Sequence, residues 1–156
     1  MHYRKIEVNG INGDDKLELL LIKIAKWHNL TPKLWINNYK ASNTDIDETV
    51  RRIKNTRNED LFLAVAEDDQ NNIHGFIWAY KQEKAQNSVM ILSLYTEEDC
   101  RGQGIATNLK NLLEEWCRFE GIKTVETTVH YSNSNMIALN KKLGYAPGML
   151  YMKKTL

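Results

Sequence analysis

The residues best suited to chemistry are Arg101, Gly102, Gln103, Gly104, Ile105 and Ala106. They stand between an apolar run, Ser88 to Tyr95, and a strongly periodic stretch that opens at Ile105. A helix start presents backbone N–H groups without intrahelical partners, together with the positive end of the helix dipole, so it can seat a phosphate. The two glycines let backbone approach such a group closely. Each N–H bond to a charged oxygen contributes about 1.5–3 kcal/mol, so several together anchor a pyrophosphate without a cluster of lysines. Two other glycine loops are excluded by the letters. A P-loop ends in Gly-Lys-Ser/Thr, and a dinucleotide fingerprint needs a third Gly or Ala where this chain has Thr107. Taken alone, the glycine pair fits a plain tight turn equally well.

The elements that must hold this loop follow from hydrophobic period. Tyr3 to Val8 reads as a strand, and Leu17, Leu20, Leu21, Ile24 and Trp27 mark one face of a helix over Asp14 to His28. A polar stretch with Trp35 and Tyr39 follows, and then Asp45 is expected to cap a helix that runs to about Lys54. Leu61 to Glu67 and Ile73 to Lys81 are β-rich runs on either side of Asp68-Asp69-Gln70-Asn71-Asn72, which predicts an antiparallel hairpin. Ser88 to Tyr95 is a third such run. Ile105, Leu109, Leu112, Leu113 and Trp116 line a long helix that stops near Gly121, and a strand at Thr124 to Val129 succeeds it. Met136, Leu139 and Leu143 line a last helix ended by Gly144, with a final strand expected over Met149 to Lys153. Strands and helices in this order predict an α/β (α+β) chain.

At 156 residues, with no repeat, linker or low-complexity tract, residues 1–156 read as a single domain with its own core. Lysine and arginine number 21 against 20 acidic residues, so no one-signed field draws the chain to a polyanion, and nucleic acid is not the expected partner. No apolar run approaches a membrane span, and the start MHYRKIEVNG has no signal-like apolar stretch, so the chain reads as soluble and cytoplasmic with no membrane partner. Cys100 and Cys117 form neither a metal-ligand spacing nor a disulfide framework, and His28 and His74 show no ligand spacing. No metal is expected.

With these elements in place, the sequence resembles the GNAT superfamily of acyl-CoA-dependent N-acetyltransferases. That family's motif is Arg/Gln, two variable residues, Gly, one variable residue, then Gly/Ala, which Arg101, Gly104 and Ala106 fit. Leu94-Tyr95-Thr96 aligns with the end of the family's fourth strand. Asn133 and the ending Leu143-Gly144-Tyr145 match its second coenzyme-side segment, and the element order agrees over nearly the whole chain. The resemblance implies a mixed, mostly antiparallel sheet of about six strands flanked by about four helices, with splayed fourth and fifth strands holding coenzyme A.

By the same resemblance, Gln103, Gly104, Ile105 and Ala106, flanked by Arg101, Gly102 and Thr107, cradle the pyrophosphate of acetyl-CoA. Leu94 and Thr96 pair with pantetheine, and a backbone N–H at a bulge polarises the thioester carbonyl. Asn133 contacts the coenzyme arm, or is an ordinary helix cap. Asn140 occupies the position where many members carry a tyrosine that protonates the departing thiolate; asparagine cannot be that acid, and Tyr131 or Tyr145 could replace it. Asn140 could equally face solvent. A thiol of pKa ~8.5 leaves near neutral pH unaided, so losing such an acid need not abolish turnover. The implied activity is transfer of acetyl from acetyl-CoA to a primary amine by direct attack in a ternary complex. The alternative is a catalytically silent acyl-CoA-binding module. The acceptor side, Trp27 to Asp47 facing the third and fourth strands, holds Trp35, Tyr39, Asp45, Asp47, Trp78 and Tyr80, which suit a small amine or peptide amine, or serve as core and caps. Glu97 and Glu98 stand near the motif and His130 beside the cleft as candidate bases, or each is a solvated surface residue, and the sequence names no base. Members often form homodimers, and the sequence leaves a homodimer open.

Overall fold

A computed structural model of the protein describes residues 1–8, 13–83 and 87–156, apart from the side chain of Leu34. The strands are β1 (His2–Lys5), β2 (Leu61–Glu67), β3 (Ile73–Lys81), β4 (Ser88–Thr96) and β5 (Thr124–Thr127). The helices are α1 (Asp15–Leu30), α2 (Asn43–Asn55), α3 (Ile105–Phe119) and α4 (Ser134–Lys142). The strands form one open mixed sheet in the order β1-β2-β3-β4-β5. All pairings are antiparallel except β4 with β5, which run parallel because α3 carries the chain across between them.

Alternation along the strands divides the core into two. Leu61, Leu63 and Val65 of β2, with Phe76 and Trp78 of β3, bury against Leu21, Ile24 and Trp27 of α1 and Val50 and Ile53 of α2. Phe62, Ala64 and Ala66, with Ile77, Ala79, Val89 and Ile91, bury against Ile105, Leu109, Leu113 and Cys117 of α3. The period of two thus puts α1 and α2 on one face and α3 on the other.

Several elements differ from the sequence reading, and β5, expected to reach Val129, stops at Thr127. α2 is capped by Ser42, not Asp45; Asp45 is the third helical residue and returns a bond to the Ser42 N–H at 2.8 Å, completing a capping box. β1 is shorter than Tyr3 to Val8, although Ile6 N–H still donates to Leu63 O at 2.7 Å. Met149 to Lys153 is no strand: among the described residues it pairs with nothing in the sheet, and Met149 is 98% exposed, so five strands are described where the resemblance gives about six. Among the described residues no helix is long and apolar enough to cross a membrane.

Candidate active site

β4 delivers the chain to the glycine loop through a single 3-10 turn, Glu98–Cys100. Gly102 and Gly104 then adopt φ of 77° and 81°, a left-handed conformation that favours glycine. A Cβ on Gly102 would meet nothing within 4 Å, so the demand here is conformational and the space in front of the loop is open. Gly104 is the N-cap of α3 and offers no side chain to its first-turn N–H groups. Those of Ile105, Ala106 and Thr107 therefore lack the side-chain cap found on α1, α2 and α4. Arg101 Nε donates to Thr96 O at 3.2 Å, and Gln103 Nε2 donates to Asp99 O at 3.3 Å. The predicted loop residues are thus gathered between the end of β4 and the start of α3.

The β4–β5 ladder runs from Ser88 with Thr124 to Ile91 with Thr127 and stops there. On the other side β4 continues to pair with β3 as far as Thr96. Leu92, Leu94 and Thr96 accordingly lie on a stretch of β4 whose β5-facing edge is unpaired. Its register shifts once, Ala79 opposing Ile91 and Trp78 opposing Ser93, which leaves Leu92 as the extra residue of a β-bulge. Thr96 Oγ1 is buried without a partner among the described residues.

Asn133 is a helix cap: its Oδ1 accepts from Met136 N–H at 3.1 Å. Asn140 is 6% exposed and does not face solvent; its Oδ1 is buried without a partner among the described residues, and its backbone carbonyl accepts from Leu143 and Tyr145. Tyr145 has a buried hydroxyl, pushed up to about 12 by burial and then by Glu114, so it remains a proton donor at every ordinary pH. The ammonium of Lys110 lies 4.1 Å over the Tyr145 ring. This lysine was missed in the sequence, where it reads as one more polar letter on α3.

On the α1–α2 face a cleft of about 170 Å³ is lined by His28, Asn29, Asp45, Glu48, Thr49, Arg52 and Trp78. Two expected acceptor residues, Asp45 and Trp78, meet there. Trp78 is 1% exposed, its Nε1 lacks a partner among the described residues, and its backbone neighbours Ser93 beside the bulge. His28 packs edge-on to Trp78 at 5.2 Å, and burial, followed by the nearby Arg52, lowers its pKa below 6.5. His28, Asn29, Glu48, Thr49 and Arg52 were not foreseen as cleft residues; the helical spacing that links 48, 49 and 52 to Asp45 on α2 is the signal that could have found three of them. Tyr80 lies within reach of Arg52, 5.8 Å from ring to guanidinium. Trp35 stacks instead on His130 at 4.4 Å, joining the segment after α1 to that after β5. Tyr39 and Asp47 do not line the cleft. Glu97 bonds His74 and His130 bonds Ser132, and neither lines the cleft. A larger concavity of about 580 Å³, with Arg57, Lys81 and Glu120 in its lining, lies at the opposite end of β3 and β4 from the glycine loop.

The model of the acetyltransferase (GNAT) family matches residues 24–145. No curated protein matches the chain. Among solved structures, a protein of Staphylococcus aureus subsp. aureus assigned to the GNAT acetyltransferases is 27% identical with a TM-score of 0.66, covering 82% of this chain and 100% of that one. Two more share the fold at lower identity. AAC(6')-Iy in complex with the bisubstrate analog CoA-S-monomethyl-acetylneamine is 16% identical (TM-score 0.66, 99% and 98% covered). Glucosamine-6-phosphate N-acetyltransferase from Arabidopsis thaliana is 16% identical (TM-score 0.63, 99% and 97% covered).

Proposed function

The chain belongs to the GNAT acetyltransferase family, and from that premise we propose that residues 1–156 act as one domain that transfers acetyl from acetyl-CoA to a primary amine in a ternary complex. The observation that carries the reading is the end of the β4–β5 ladder at Ile91, directly upstream of an uncapped α3 N-terminus. Pantetheine fills the open edge of Leu92, Leu94 and Thr96 as an added strand. The pyrophosphate rests on the N–H groups of Gln103 to Thr107, with Arg101 and Gly102 flanking it. Asn133, already a cap, lies toward the coenzyme arm.

In this reading the amine nitrogen attacks the thioester carbonyl carbon, a C–N bond forms, and the C–S bond breaks to release the thiolate. Negative charge gathers on the carbonyl oxygen, where a backbone N–H of the Leu92 bulge receives it. The attacking amine must first lose a proton, and His28 supplies the base: with its pKa below 6.5, it is a neutral imidazole at pH 7. Tyr145, whose hydroxyl stays protonated, replaces the family's missing acid, while Asn140 orients the exit of the thiolate. Asp45 and Glu48 favour a cationic acceptor, so a small amine or peptide amine is the substrate class. AAC(6')-Iy, a protein of the same fold, is seen with the bisubstrate analog CoA-S-monomethyl-acetylneamine, which is in keeping with an amine acceptor.

A thiol-release assay over a panel of amines, with mass spectrometry of the products, tests transfer. Free CoA is expected only in the presence of an acceptor, with the rate falling at acid pH as His28, its pKa lowered by burial and by Arg52, takes up a proton. His28→Gln is expected to lower the rate by about 10²-fold. The competing reading, a silent acyl-CoA-binding module, rests on Asn140 and predicts coenzyme binding with no thiol released by any amine.

A further inference from the structure

Beside the glycine loop, the pairing of β3 with β4 brings His74 next to two residues of the turn that follows β4, Glu97 and Cys100. Glu97 N–H donates to His74 O at 2.8 Å, and Cys100 N–H donates to Glu97 O at 3.0 Å. In such a 3-10 turn, side chains three residues apart stand on the same side, so Glu97 and Cys100 project together toward His74. A ring nitrogen of His74, a carboxylate oxygen of Glu97 and Sγ of Cys100 all lie within 4.8 Å of one another. All three side chains are partly exposed, so an ion can reach them.

The ring is already oriented as a metal ligand would be. His74 Nε2 lies 3.1 Å from Asp68 Oδ2 and Nδ1 lies 2.8 Å from Glu97 Oε2. Asp68 is itself fixed by the N–H groups of Gln70 and Asn72, at 2.9 and 2.8 Å. A carboxylate on the far nitrogen of a ligating histidine holds its tautomer and raises its basicity. We propose that His74, Glu97 and Cys100 bind one divalent transition-metal ion, zinc by the chemistry of the donors, with Asp68 orienting His74 from behind.

The ion replaces the His74–Glu97 contact, and the Cys100 thiol releases its proton to solvent on binding. Zinc bonds of about 2.0–2.3 Å set ligand atoms roughly 3.3–3.8 Å apart, so side-chain movements of about 1 Å close the cluster and leave a fourth position to water. A thiolate and a carboxylate balance the ion's two charges, and Lys23, with Nζ 3.8 Å from Glu97 Oε1, keeps the other carboxylate oxygen. An ion held here pins Cys100, the residue immediately before Arg101.

The test is titration of the full-length protein with Co²⁺ under a non-chelating reductant, read as thiolate-to-cobalt charge-transfer absorption, with Zn²⁺ then displacing it. One equivalent per chain is expected. Cys117 is no competitor, since burial pushes its thiol up to about 11. Cys100→Ser should abolish the absorption, His74→Ala should weaken binding more than tenfold, and Asp68→Asn should weaken it about tenfold, each variant first checked for native circular dichroism. No charge-transfer band in the wild type overturns the proposal. So does a band that survives Cys100→Ser, or an affinity unchanged by His74→Ala.

Discussion

Lys110 is 1% exposed, on the same face of α3 as Leu109 and Leu113. Burial pulls its pKa from 10.5 down to about 8, against a smaller upward pull from Glu114. That difference corresponds to about 3 kcal/mol. The folded state releases its proton before the unfolded state does, so the cost stands in full below pH 8 and is relieved as pH rises from 8 toward 10.5. Lys110→Met, which also forfeits the contact with the Tyr145 ring, should therefore stabilise the protein by about 1–2 kcal/mol at pH 7. The gain should shrink by pH 9.5, as denaturant unfolding at the two values would measure. In the sequence Lys110 was invisible because only packing against Tyr145, 35 positions on, takes it out of water. Asn140 shows the same limit: its place in the motif was legible and its burial was not.

At the scale of elements, the strands most fully buried were read to the residue. Leu61–Glu67 and Ile73–Lys81 are β-rich, largely apolar runs bounded by turn formers, so few alternative boundaries exist. The tail Met149 to Lys153 carries similar letters and stays exposed, because apolar composition does not supply a neighbouring strand. Ser42 was passed over for Asp45 because a capping box uses both residues reciprocally; Ser42→Ala should cost about 1 kcal/mol in α2, seen as a lower midpoint in thermal unfolding. Gly75 escaped notice altogether. A Cβ there would come 2.8 Å from Tyr95 O and 3.0 Å from Ile105 Cγ2, and the first of these is backbone that cannot swing aside. Its bareness lets β4 and the start of α3 close over β3. Gly75→Ala should destabilise the fold by about 1–3 kcal/mol and move the coenzyme loop, so a lowered unfolding midpoint should accompany weaker acetyl-CoA binding.

For the whole molecule, the sheet divides the work. Its α3 face and the open edge of β4 form the side proposed for the coenzyme, while α1 and α2 on the other face form the cleft with His28, Asp45 and Glu48. The glycine motif and element order made the turn into α3 legible, since the demand for left-handed backbone is written in Gly102 and Gly104. The acceptor side was legible only as a region, because its lining comes from separate elements and its partners, such as Trp35 with His130, are set by tertiary packing. The most direct test is calorimetric titration with acetyl-CoA of the wild type and of Gly104→Arg. A Gly104→Asn control tolerates the left-handed backbone without the bulk. Binding by the wild type and the control, lost in a folded Gly104→Arg, is the predicted result. Failure of the folded wild type to bind acetyl-CoA, or undiminished binding by Gly104→Arg, would contradict the account.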